Sequence, residues 1–235
     1  MKKIVGFLLI GLAVSVLAGS SSAAGIDLYS LFPNLTLGSD PDSTDYCYVA
    51  VAGITANTLT LQLHVVTDNS NSADYLQGID VALDLTADQA GATLDTTVAT
   101  VFGGSAVSGW GIQSAHVYTS GGNPSSFPLS IELGAVELDT ADAGAPLGPG
   151  DYVFATLKFN LTSPVCPICT EGGCFDGCPA MLVTTVANGY TVQVTPSCPQ
   201  CGIPTLSEWG LILFGVVLFG SLVWYLRRRR WAAAG

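Results

Sequence analysis

Thr58-Leu59-Thr60-Leu61-Gln62-Leu63-His64-Val65 decides the fold. Leucines and a valine alternate with Thr, Gln and His, so in an extended chain the apolar residues share one face and the polar ones the other. That is the pattern of a strand with one side on a core and one in water. Ile79 to Leu85 repeats it, with Asp80 and Asp84 outward. Tyr152 to Leu161 repeats it again and predicts Val153, Ala155, Leu157, Phe159 and Leu161 on one side. Further strands are expected at Tyr46 to Ala52, Ile112 to Tyr118 and Leu129 to Leu133. Met181 to Thr195 reads as a hairpin. Its two β-branched runs meet at Asn188-Gly189, a pair suited to the positive φ angles of a type I′ turn, with Ala187 facing Tyr190. No helix-length amphipathic pattern interrupts this region. Many short strands between Gly, Pro, Asn and Asp predict an all-β, antiparallel β-sandwich or barrel.

Outward from this body the chain changes character. Met1-Lys2-Lys3 opens an apolar run from Ile4 to Ala18, which ends in Gly19-Ser20-Ser21-Ser22-Ala23-Ala24. A basic start, a short apolar middle and a small-residue end are the parts of a secretory signal peptide, with cleavage expected after Ala24. At the other end, Trp209 to Leu226 carries no charge. As a helix it would rise about 27 Å, close to the ~30 Å of a bilayer core. Trp209 lies at one edge, Trp224 and Tyr225 at the other, and Arg227, Arg228, Arg229 and Arg230 follow. Aromatic rings favour the interface, and an arginine cluster stays in the cytoplasm, which leaves the body outside. The organisation expected is a signal peptide over 1–24, an acidic body over 25–202 with a cysteine-rich end, and a tail over 203–235 with one transmembrane helix.

Two resemblances sit on these residues. Ile203-Pro204-Thr205-Leu206-Ser207-Glu208-Trp209-Gly210, an apolar span and an arginine cluster, in that order, resemble the IPTL-CTERM sorting signal of Gram-negative bacteria. The resemblance implies handling by an exosortase-type membrane enzyme: the protein is held in the inner membrane first, then passed to the cell surface or released. It implies nothing about the body. Within the body, Leu76-Gln77-Gly78-Ile79-Asp80-Val81-Ala82-Leu83-Asp84 and the later Gly148-Pro149-Gly150-Asp151-Tyr152-Val153-Phe154-Ala155-Thr156-Leu157-Lys158-Phe159 resemble the strands of cohesin-like and related carbohydrate-binding jelly-roll domains. That implies a sandwich and points to a polysaccharide or protein partner, with no partner-contacting residue to carry over.

Charge removes one class of function. From Gly25 to Gly210 there is one basic residue, Lys158, against all 18 Asp and Glu. A nucleic-acid binder needs the opposite sign to neutralise phosphates. Acidic turns can instead hold a hard cation. Asp40, Asp42 and Asp45 offer three carboxylates in one turn-rich segment and are the candidate calcium ligands. Asp68 to Asp74 offers further oxygens but is not an EF-hand, since Ala73 stands where the loop needs Gly and Ile79 where it needs Glu.

Seven cysteines remain: Cys47, and the late group Cys166, Cys169, Cys174, Cys178, Cys198 and Cys201. Two CxxC pairs could make a four-thiolate zinc site or a redox motif, but in an exported chain disulfides are the default. The hairpin register expected above sets Cys178 nearly opposite Cys198 and predicts a bond between them. Cys174–Cys201 and Cys166–Cys169 could follow, leaving Cys47 free or bonded to another chain. His64 and His116 are the histidines available to a hydrolase. Neither lies in a G-x-S-x-G or H-E-x-x-H motif, so the expected protein is not an enzyme.

Overall fold

The computed structural model describes residues 25–55, 57–87, 91–118, 123–125, 127–138, 144–162, 168–173, 180–198 and 213–221. The strands are β1 (Thr36–Leu37), β2 (Tyr46–Ile54), β3 (Thr58–Thr67), β4 (Leu76–Ala87), β5 (Ala92–Asp95), β6 (Ile112–Val117), β7 (Leu129–Val136), β8 (Gly150–Leu161), β9 (Ile168–Gly172), β10 (Ala180–Thr184), β11 (Asn188–Thr191) and β12 (Gln193–Thr195). One-turn helices over Leu28–Leu31 (α1) and Val98–Val101 (α2) fill the connections. A seven-stranded sheet runs β1-β11-β10-β4-β7-β6, with β9 on the far half of β4, and a five-stranded sheet runs β12-β2-β3-β8-β5. Their inner faces share one apolar core, to which β3 gives Leu59, Leu61, Leu63 and Val65, and β4 and β7 give Ile79, Val81, Leu83, Ile131 and Leu133. Each leucine so buried is worth about 1.5–3 kcal/mol. The alternation read in β3 therefore does place it between a core and an open side.

The detail differs from the sequence expectation in four places. The sandwich is not purely antiparallel: β1 pairs parallel with β11, and β12 parallel with β2. Val153 is not in the core. A register irregularity at Leu63/His64 turns Phe154 inward instead, where it is fully buried. A bulge adds one residue to a strand and reverses the side on which the next one points.

The hairpin also turns earlier than Asn188-Gly189. Leu182 faces Tyr190 and Val183 faces Gly189, so the turn runs through 185–187 and Ala187 takes the left-handed angle, φ 58°. Gly189 is already in the strand because the chain entering β1 needs its space: a Cβ there would meet Leu35 Cδ1 at 3.0 Å. Finally, Tyr190 to Thr195 is not one strand. The chain leaves the seven-stranded sheet at Val192, whose N–H still bonds to Ala180, and β12 joins the five-stranded sheet.

That change of register overturns the Cys178–Cys198 pairing. Cys198 is bonded to Cys169, with Cα atoms 4.1 Å apart. Thr170 and Ser197 exchange backbone hydrogen bonds of 2.7 and 2.9 Å, and this bridge sets the neighbouring cysteines side by side. Cys166–Cys169 is excluded by the same bond. Cys166, Cys174, Cys178 and Cys201 lie outside the described residues. Cys47 carries a free thiol and is fully buried, so a bond to another chain would require the sandwich to open.

Residues 1–24, with the expected signal peptide, lie outside the described residues. So do Ile203 to Gly210 and Arg227 to Arg230. The described part of the tail is a helix over 213–221 whose apolar side chains, Leu213 to Phe219, are exposed. No helix among the described residues is long and apolar enough to cross a membrane.

The two outer faces are unlike. Residues 25–35 lie across the seven-stranded sheet and form a second apolar cluster on it, with Ile26, Leu28 and Phe32 packed against Val136 and Val183. Two glycines floor this strap: a Cβ at Gly134 would meet Ile26 at 2.8 Å, and one at Gly78 would meet Phe32 at 3.0 Å. Asp27 caps α1 by accepting from the N–H groups of Tyr29 and Ser30. The five-stranded sheet instead presents Tyr46, Tyr48, Gln62, His64, Asp151 and Lys158 on its outer side, and all of them are exposed or half-buried.

Candidate functional site

The constellation richest in chemistry stands on that open face. Tyr46 and Tyr48 alternate with Cys47 and Val49 on β2, so burial of the latter two points both rings outward. His64 is directly opposite Tyr48 on β3, and the two rings stack with centroids 4.6 Å apart. Tyr46 lies 6.1 Å from Tyr48, ring to ring. Asp151, at the start of β8, closes the group. It takes a hydrogen bond from the Tyr48 hydroxyl at 2.8 Å and lies 2.8 Å from His64 Nδ1.

The electrostatics suit recognition better than catalysis. Partial burial would raise Asp151, but the bonds from His64 and Tyr48 outweigh it and hold the carboxyl below its usual range. The same hydrogen bond, with Asp151's charge, pushes the Tyr48 phenol up to about 12, so it stays a protonated donor. In a Ser-His-Asp triad the histidine bridges hydroxyl and carboxylate through its two different nitrogens. Here Nδ1 meets both: Tyr48 Oη is 3.1 Å from it, and Oη also bonds directly to the carboxylate. The three groups form a closed triangle that fixes two rings and does not activate a nucleophile. His116, the other candidate, lies edge-on to Tyr118 at 4.4 Å on the opposite sheet.

The expected calcium ligands are divided by the structure. Asp40 and Asp45 come together with Asp68, one carboxylate oxygen of each within 4.8 Å of the others. Asp42 turns away and accepts the N–H of Ser70 at 3.1 Å. Much of the trio's capacity is already used. Asp40 accepts the N–H groups of Asp42 and Asp45. Asp45 accepts from Asp68 N, from Asn69 Nδ2 and from the buried Tyr190 hydroxyl. Burial raises the Asp45 carboxyl, helped by the charge of Asp40 and resisted by the Tyr190 and Asp68 bonds. Asp68 Oδ1 is buried without a partner.

The Cys169–Cys198 bond takes one sulfur from each CxxC pair. Neither a four-thiolate zinc site nor a redox pair within Cys166–Cys169 is compatible with it.

Sequence reasoning singled out His64 but missed Tyr46, Tyr48 and Asp151. Period-two alternation would have turned both tyrosines outward. That β2, β3 and β8 are neighbours is a matter of topology, which no local pattern carries.

Comparison with known proteins adds the following. Residues 202–230 match the IPTL-CTERM motif. No curated protein matches. Among solved structures, the second type II cohesin module of the ScaA scaffoldin of Acetivibrio cellulolyticus is similar at 13% identity and TM-score 0.43, over 67% of this chain and 99% of that one. Another type II cohesin domain from the cellulosome of the same organism is similar at 15% identity and TM-score 0.39, over 65% and 93%. These are the modules whose strands the sequence resembles. At such scores the likeness adds nothing to the strand order and register already described.

Proposed function

We propose that this is a non-enzymatic exported protein, sorted through its C-terminal signal, whose body binds carbohydrate on the open face of the five-stranded sheet. The observation that carries the binding reading is the Tyr46, Tyr48, His64 and Asp151 group on a sheet face that no described residue covers. Aromatic rings offer sugar rings an apolar contact, and fixed donors and acceptors beside them orient hydroxyls. The rest of the face carries Thr58, Thr60, Gln62, Thr156, Lys158 and Asn160, with half-buried Ala50, Val66 and Val153 between them. The fully buried core of a protein interface is more apolar and poorer in charge than this, which favours a hydroxyl-rich ligand over a protein partner.

The reading of the ends supports the address. The match over 202–230 bears on export and membrane handling. On this proposal residues 1–24 are a leader, 25–202 the body and 203–235 a tail held by Arg227 to Arg230 until an exosortase-type enzyme acts near Ile203 to Gly210.

Affinity electrophoresis of the exported protein in gels containing polysaccharide from its own cell surface tests the binding. Retardation is expected for the wild type; Tyr46→Ala is expected to migrate freely while melting normally, and Asp151→Ala to migrate freely with a small loss of Tm from the bonds it gives up. Equal migration of all three with and without polysaccharide sinks the carbohydrate reading. Capture of a surface protein that is lost in the same two variants would move the face to protein recognition. Intact mass of the mature protein from its host reads the ends directly.

A further inference from the structure

We infer that the mature amino terminus is a built-in ion-pair partner: hydrolysis of the Ala24–Gly25 bond creates an ammonium group at Gly25 that docks on the buried carboxylate of Glu132 and locks the strap in place.

The inference starts from a carboxylate without a described basic side-chain partner. Glu132 is on β7, on the outer side of the seven-stranded sheet, and the strap leaves it only 7% exposed. Its described hydrogen bond comes from the Tyr118 hydroxyl. A buried charge needs an opposite one or several donors, and this body has a single lysine. Lys158 is on β8, in the other sheet, where its charge acts on Asp95.

What faces Glu132 is the start of the strap. The Gly25 N–H donates to Tyr118 Oη at 3.0 Å, so nitrogen, phenol and carboxylate form one chain of hydrogen bonds. A Cβ on residue 25 would fall on the Glu132 carboxylate itself. An amide nitrogen is about 2.5 Å from its own Cβ position, so the Gly25 nitrogen is within roughly 4.5 Å of the carboxylate. A larger residue there would have to displace the Glu132 carboxylate from its place. Residue 25 is also the position that the small-residue end at Ser22 and Ala24 leaves as first in the mature chain.

The chemistry of cleavage supplies what the site lacks. In the precursor Gly25 is a peptide amide with one hydrogen, already given to Tyr118. Hydrolysis by a leader peptidase adds the water's hydroxyl to the Ala24 carbonyl and returns a hydrogen to the Gly25 nitrogen. The resulting amine, with an ordinary pKa of about 7.7–8.0, takes up a further proton at neutral pH. It then has three donors and a positive charge, enough for both Tyr118 and Glu132. The other titratable groups facing it are His116, opposite Glu132 on β6, and Asp80 on β4, whose charge also reaches Tyr118. The surroundings are anionic apart from His116, so the ammonium is expected to titrate higher in the folded protein than in the unfolded chain. Its contribution to stability is then complete below the unfolded pKa and lost as pH rises through the folded one.

The full chain, exported in a Gram-negative host, tests this. Intact mass should show Gly25 as first residue. Labelling with an amine-reactive ester near pH 7 should modify the α-amine at least tenfold more slowly in the folded protein than in urea. Glu132→Gln, which keeps the shape and the Tyr118 contact, should restore fast labelling and lower Tm. Inserting one alanine after Ala24, which displaces the amine by a residue, should lower Tm equally and make Glu132→Gln silent. A mature chain beginning elsewhere, or an α-amine that labels equally fast folded and unfolded, overturns the inference. The labelling of the wild type stands as a test even if either variant is not exported.

Discussion

The seven-stranded sheet is roofed by its own amino-terminal strap, while among the described residues the five-stranded sheet is left bare, and the difference is written in side-chain size. Gly78 and Gly134 remove the two side chains that would hold Phe32 and Ile26 away. On the bare sheet the equivalent outward positions carry Tyr46, Tyr48 and His64, which leave no floor for a second layer and stack on one another instead. A covered face contributes to stability and an open one is available for recognition. Substitutions on the two faces should therefore be felt in different assays.

The largest contrast is between Phe32→Ala and Tyr46→Ala. Phe32 is 6% exposed and Tyr46 is 42% exposed. Truncating a buried phenylalanine costs about 3–5 kcal/mol, whereas a surface change away from special features stays within about 0.5 kcal/mol. Urea unfolding should show a loss of that order for Phe32→Ala and almost none for Tyr46→Ala, with the order reversed in polysaccharide binding. Equal losses of stability would mean that the faces are not divided in this way.

The next effect tests what holds the two layers together. Cys169 is on β9 of the seven-stranded sheet, and Cys198 follows β12 of the five-stranded one, 29 residues away. Closing a loop of that length restricts the unfolded chain by about 3–4 kcal/mol. Cys169→Ser with Cys198→Ser should lower stability by roughly that amount in non-reducing urea titrations. Phe32→Ala should add to it independently, since Phe32 packs by Gly78 and Val183 while β9 pairs with the other half of β4. Strong non-additivity would show the strap and the staple to be coupled.

How much of this could be read from sequence follows from how local each signal is. The alternation in Thr58 to Val65 fixed which side of β3 is buried, because a strand's period is a property of eight consecutive residues. The Phe154 bulge escaped, because it depends on how β8 pairs with β3. Asn188-Gly189 misled for the same reason. The pair fits a turn locally, but the arrival of Leu35 and Leu37 over Gly189 claims it for a strand, and the misplaced register carried the Cys178–Cys198 prediction with it. Asp40 and Asp45 were legible as neighbours in sequence. Asp68 joins them only because β2 and β3 are adjacent. Glu132 gave no sequence signal at all, being one acid among 18.

Acid should act with opposite signs on Asp45 and on Asp151, with Asp95, lowered by its bonds from Thr97, on the Asp151 side. Asp45 is raised by burial, so its ionised form opposes folding. That penalty is complete above its folded pKa and disappears as pH falls toward the ordinary 3.8. Asp151 is lowered by its bonds on the open face, so its contribution is present above 3.8 and lost only as pH falls through its depressed value. Tm is therefore expected to rise on mild acidification from neutrality and to fall again below about pH 4, the ordinary carboxylate range. Asp45→Asn should flatten the rise and Asp151→Asn the fall, as scanning calorimetry across pH would show. A rise that persists in Asp45→Asn would place its source elsewhere.

Calcium should give the smallest effect, because it competes with the proton for the same relief. Asp40, Asp45 and Asp68 crowd three carboxylates together, and Asp68 Oδ1 is buried without a donor. Most of the remaining lone pairs are committed to N–H groups and to Tyr190, so the trio can offer only weak, millimolar binding of the kind found in extracellular modules. At about 5 mM calcium and a Kd near 1 mM the gain is roughly 1 kcal/mol, or a rise in Tm of about 2–4 °C. The increment should shrink as acid protonates Asp45, whose carboxyl burial raises. Asp68→Asn should abolish it while leaving the acid response of Asp45 intact. Asp42→Asn should not affect it, because that side chain serves Ser70. No shift in wild-type Tm at neutral pH would show that the hydrogen bonds already offset the repulsion and that no cation is needed at this trio.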